Sequence, residues 1–132
     1  MSIMCIARFA RQDLLRTLTT MITRWDEFCD RKLFHIIKYI NGTALWRQIG
    51  FIGDTTDNLQ LGLFSDADFA GDRADMRSTS GVFLAPYGPR SFFPLAAQSN
   101  KQTAVSHSTV EAEIVAADHA LSTSGLPALP LW

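Results

Sequence analysis

Long apolar runs, cysteine-based metal motifs and phosphate loops are all missing from this chain of 132 residues. Without an apolar run near the ~18 residues of a membrane span, no transmembrane segment or membrane partner is expected. The opening Met-Ser-Ile-Met-Cys-Ile-Ala is interrupted by Arg8 and Arg11, too short and too charged for a signal-peptide core. The two cysteines, Cys5 and Cys29, show neither metal-ligand spacing nor a disulfide framework. Free thiols and an intracellular location, cytoplasmic or nuclear and not secreted, follow as expectations. His35 and His107 lack partner spacing for zinc, and no Walker or dinucleotide pattern occurs. What is present is a 47% hydrophobic, 19% charged composition. It suits one domain, or one small domain with an appendage, able to bury a core.

The net charge of -1 conceals an asymmetry. Residues 1–50 hold eight Lys/Arg against four acids, and residues 51–132 hold four against nine. A cationic half beside an acidic half suits a polyanion held near a metal, but taken alone it is more simply read as solvated faces on an ordinary globule.

The hydrophobic period changes near residue 50, dividing the chain into a helical segment, 1–50, and a second part, 51–132. Leu14, Leu15, Leu18 and Met21 form one amphipathic stripe. Leu33, Ile36, Ile37 and Ile40 form a second, with Asn41-Gly42 as its left-handed stop. In the second part, strands are expected over 61–66, 81–85 and 91–96, with a turn at Pro86-Tyr87-Gly88-Pro89. Pro94 cannot donate to a ladder, so its strand should lie at an edge. Short connections make the three strands an antiparallel meander. A helix follows from about Thr109 to Ser122, opened by a Ser108–Glu111 capping box.

Two acids stand out. At roughly 100° per residue, Leu121, Val110, Ala117, Glu113 and Ala120 gather beside Ile114 in one arc, the expected packing face. Glu113 inside such an arc needs a cation, a metal or a route to water. Asp66 closes an apolar strand and shares a face with Phe64 and Asp68, an arrangement open to a divalent cation or to simple turn formation. His119 falls on the polar side of its helix, toward solvent. Two carboxylates can begin a two-metal site, and three or four normally complete one.

The blocks Phe64 to Asp72 (FSDADFAGD), Arg77 to Gly81 (RSTSG) and Gln102 to Glu113 (QTAVSHSTVEAE) carry a resemblance. In that order they resemble the ribonuclease H domain of copia-type retrotransposon polyproteins. Asp30 to Leu33 with Ile37 to Thr43 is similar to the tether joining that domain to reverse transcriptase. The likeness spans roughly residues 25–132. It implies a partial ribonuclease H-like α/β (α+β) fold: a three-stranded antiparallel meander, then a helix, behind an N-terminal helical segment. It also implies Asp66 and Glu113 as catalytic ligands of Mg2+, their carboxylates within about 6 Å of each other. Arg77, Ser78, Ser106, Ser108 and Lys38 are implied as contacts to an RNA–DNA hybrid, read through backbone and 2′-hydroxyls. The rest of the polyprotein, including reverse transcriptase, is the implied partner.

The departures are specific. The family's third carboxylate follows the helix on a further strand, and this sequence ends at Leu131-Trp132 before reaching one. A C-terminally truncated domain is therefore the expectation. Asp118 points too far around the helix from Glu113 to replace that acid. Phe69 stands where the family carries Trp. Two functions compete: part of a metal-dependent endonuclease hydrolysing the RNA of RNA–DNA hybrids, inactive as it stands, or a non-catalytic remnant or nucleic-acid-binding module. The strand holding Asp66 should also present an unpaired edge, open to self-association.

Overall fold

Hydrophobic periodicity organises the first of two units, Met1–Gln48 and Ile49–Trp132. A computed structural model describes residues 3–23, 25–72 and 74–132. In the first unit, α1 (Ile3–Phe9) leads through a 3-10 turn, Gln12–Leu14, into α2 (Leu15–Thr23), and α3 spans Cys29–Gly42. Leu14, Leu15, Leu18 and Met21 are buried as expected. The α3 stripe shifts: Cys29 and Ile36 are buried while Ile37 is exposed. Gly42 is still helical and no described glycine has a positive φ, so the Asn41-Gly42 left-handed stop does not form. Instead Thr43 closes the helix, its hydroxyl donating to the Tyr39 carbonyl at 2.7 Å. Arg11 ties the turn to α3, donating to Asp13 at 2.9 Å and to Thr43 Oγ1 at 2.8 Å. The Tyr39 hydroxyl donates to Asp13 as well, at 2.9 Å. Arg11's hydrogen bonds hold the Asp13 carboxyl below its ordinary range.

In the second unit the strands are β1 (Phe51–Ile52), β2 (Gln60–Asp68), β3 (Thr79–Gly88), β4 (Ser91–Phe92) and β5 (Ala96–Lys101). All described pairings are antiparallel: β2 with β3, β3 with both β4 and β5, and β1 with β4. The antiparallel order is as expected, but the expected third strand, 91–96, is split into β4 and β5 around Phe93–Leu95, and other boundaries move. β2 runs through Asp66 to Asp68, so Asp66 sits inside the strand. Pro86 lies inside β3, where the strand changes partner from β5 to β4 and no donor is required. Pro94 falls in the break between β4 and β5 instead of in an edge strand. β2 has one partner strand among the described residues and leaves its other edge free.

Helix α4 (Thr109–Ala120) covers one face of the sheet, against β2 and β3. Its buried face is Ala112, Ala116 and Ala120, whereas Ile114 and Val110 are 64% and 68% exposed. The expected packing face is therefore rotated: its Ala120 edge is buried and Ala117 and Glu113 are half-buried, while Ile114, Val110 and Leu121 are turned outward. Alanines let the helix approach closely enough for the sheet's polar side chains to reach it. Gln102 Nε2 donates to Ser80 Oγ and to the Ala112 carbonyl, both at 3.0 Å. Gln98 Nε2 donates to Ser124 Oγ at 2.9 Å. Asn100 Nδ2 donates to His119 Nε2 at 2.9 Å, so His119 is half-buried against β5 and does not face solvent.

Candidate active site

Asp66 stands on β2 directly opposite Gly81 of β3, between the Phe64–Phe83 and Asp68–Thr79 pairs. The absent Gly81 side chain keeps this spot open: a Cβ there would meet nothing nearer than the Asp66 carbonyl at 3.8 Å. Phe64, Asp66, Gly81 and Phe83 line a shallow groove, and the Asp66 carboxylate is exposed. Strand alternation sets this face apart from the α4 face, which carries Ser80, Val82, Gln98 and Asn100 in the same register.

Glu113 is half-buried beside the Ala112–Ala116–Ala120 face. His119 lies on the flank of α4 nearest β5, because it meets Asn100. Glu113, about 120° around the helix from it, is directed to the flank nearest β2. Asp66 and Glu113 are thus both brought to β2 but to opposite faces of the sheet, so the shared site with carboxylates within about 6 Å, implied by the resemblance, does not form in this chain. Neither carboxylate has a side-chain hydrogen bond or ion pair among the described residues, and no bond joins them. No group of three or more His, Cys, Asp or Glu among the described residues is placed to hold a metal. As a donor set for Mg2+, the two acids do not suffice, so no catalytic step is assigned to this chain alone.

The implied hybrid contacts separate into two kinds. Arg77 is exposed beside Asp75, at 3.7 Å, and Lys38 is exposed on α3. Ser78 and Ser106 are buried and have structural bonds instead. Ser78 Oγ accepts from the Ala70 amide at 3.1 Å, and Ser106 Oγ donates to Gln102 Oε1 at 3.1 Å. Both hydroxyls are turned into the fold and away from a nucleic acid, a correction with two causes: Ser78 holds the β2–β3 loop and Ser106 holds Gln102 beneath α4. Ser108 is the N-cap of α4, accepting from the Glu111 amide at 3.1 Å, while Glu111 accepts from the His107 amide at 2.7 Å. Its hydroxyl is occupied by the cap.

Sequence reasoning missed an ion cluster. Lys101 on β5 donates to Asp72 at 2.6 Å and approaches Asp75 at 2.7 Å, clipping the β2–β3 loop to the third strand. Hydrogen bonds to Asp72 and Asp75 raise the Lys101 ammonium above its ordinary range, and the Lys101 bond lowers the Asp75 carboxyl. The same loop holds two residues in left-handed backbone, Ala70 and Met76, with φ of 49° and 56°. No spacing signal links positions 72, 75 and 101, since only the β3–β5 pairing brings them together. No family model, curated protein or solved structure matches the chain. No helix of the described residues is long and apolar enough to cross a membrane.

Proposed function

We propose that residues 51–132 form the first half of a ribonuclease H-like domain of copia-retrotransposon type, serving RNA–DNA hybrid hydrolysis once a further acid-bearing strand joins β2. In this reading Asp66 and Glu113, which lie on opposite faces of the sheet in this chain, become metal-binding carboxylates only when the added strand re-forms the β2 edge so that they share one side, and Arg77 and Lys38 are phosphate contacts. The observation that carries it is the arrangement around β2: an antiparallel meander, a helix across β2 and β3, two unpartnered carboxylates flanking β2, and a free edge beside them. A strand added at that edge would bring a third carboxylate beside β2, and a shared metal site also requires Asp66 and Glu113 to meet on one side of it. Without it, the chain's own residues orient two acids and offer exposed cations, and they do not assemble a metal centre. That shortfall favours, as the second reading, a module that binds nucleic acid without cutting it.

The test is hybrid cleavage in Mg2+ by the chain alone and by a version carrying the family's following strands grafted after Trp132. We expect no cleavage by the chain alone, cleavage by the graft, and loss on Asp66→Asn in the graft. Cleavage by the unextended chain that depends on Asp66 would refute the incomplete-site reading. A folded graft that binds hybrid without cutting it would establish the binding module instead.

A further inference from the structure

We infer that β2 is also an assembly edge, through which two copies of this chain join antiparallel about an axis at Phe64 into one continuous sheet. The inference does not depend on the ribonuclease reading, and the two exclude each other at this edge: a chain whose β2 takes a further strand cannot dimerise through it. The direction of the backbone groups leads to it. On β3, the carbonyls of Leu84 and Pro86 accept from the amides of Leu95 and Phe93, each at 3.0 Å, and so point away from β2. Their cross-strand neighbours on β2 are Leu63 and Leu61. These are the non-hydrogen-bonded positions of the β2–β3 ladder, and with Ser65 and Ala67 they aim N–H and C=O at the free edge.

Gln60–Asp68 is a strand of nine residues whose middle is Phe64. Pairing its whole length with a second copy sets Leu63 opposite the partner's Ser65 and Leu61 opposite the partner's Ala67. Both fall at bonded positions, giving about eight N–H···O bonds by symmetry. The same register keeps charges apart: Asp66 faces the partner's Gly62, and Asp68 faces the partner's Gln60. An axis moved to Asp66 would instead oppose two carboxylates, which is destabilising. Apolar groups occupy both faces at the axis. Phe64, 50% exposed, meets its own copy at a non-bonded pair, where side chains approach most closely. On the α4 face, Leu63 and the 54% exposed Leu121 cluster around Gly125. No proline interrupts β2, and nothing described pairs with its edge.

The test is sedimentation of the full chain across a concentration series, where a monomer–dimer equilibrium is expected. Ser65→Pro removes an outward N–H while leaving the β2–β3 ladder intact, and should weaken the dimer at least tenfold. A register probe covers the case in which that variant misfolds. In a Cys5→Ser background, Phe64→Cys should cross-link to a disulfide dimer with diamide as oxidant, whereas Asp66→Cys should not. A chain that stays monomeric at all concentrations, a folded Ser65→Pro variant that dimerises normally, or equal cross-linking at 64 and 66 would overturn the inference.

Discussion

The two units bury different kinds of surface. In the first, large aliphatic side chains disappear from water: Leu14, Leu15, Leu18, Met21 and Ile36. In the second, Val82 and Leu84 are the buried large aliphatics, and most buried positions are small or polar: Ala85, Ala97, Ala112, Ala116 and Ala120, with Ser78, Ser80, Ser91, Gln102, Ser106 and Ser124; the first unit's buried polar residues are Thr19 and Thr43. The first is held by apolar area, which is non-directional and tolerant of geometry. The second relies on close approach and on hydrogen bonds whose partners must stay satisfied. The sensitivities of the two units should therefore differ in weight. Removing volume should harm the first, and adding volume or unpairing polar groups should harm the second.

The largest effect is expected in the first unit, where Leu18→Ala should cost about 2–5 kcal/mol by leaving a cavity, measured by urea denaturation. In the second, Ala116→Leu should cost about 1–3 kcal/mol by lifting α4 from the sheet. Equal tolerance of both changes would break the contrast. Gln102→Ala should also cost about 1–3 kcal/mol, because Ser80, Ser106 and the Ala112 carbonyl lose their shared partner. Acid should act on both units through Asp13 and Asp75, whose carboxyls are lowered in the folded state. Such groups add stability above their unfolded pKa of about 3.9, and that contribution is lost as pH falls further through the folded values. Thermal stability should thus drop on acidification below about pH 4, and Lys101→Gln should flatten the part of that dependence due to Asp75. The smallest effect is expected at Ile114→Ser, within about 0.5 kcal/mol, since this side chain is largely in water. A large loss there would restore the packing face expected from the helical wheel.

That wheel shows where sequence reasoning stopped. The Leu14–Met21 stripe was readable because one apolar face per helix leaves a single way to bury it. On α4 two faces competed: a bulky one at Val110, Ile114 and Leu121, and a small one at Ala112, Ala116 and Ala120. Residue hydrophobicity favours the first. The sheet accepts the second, because Gln102 and Ser80 beneath it require a close helix backbone. The candidate site divides similarly. Asp66 and Glu113 stood out as acids at apolar positions, but Ser78 and Ser106 looked like surface serines. Their burial depends on partners at Ala70 and Gln102 that spacing does not reveal.

By itself, the sequence determined what short-range patterning can encode: the Leu14–Met21 stripe, the presence of helix α3, the antiparallel order of the strands, the Ser108 cap of α4 and the break in period near residue 50. The tertiary structure alone decided which face of α4 meets the sheet, which sheet face carries Asp66, and that Lys101 clips Asp72 and Asp75. The physical reason is the range of the interactions. Periodicity and capping act within a few residues, whereas close packing, buried polar partners and cross-strand charge pairs exist only after distant segments have been brought together.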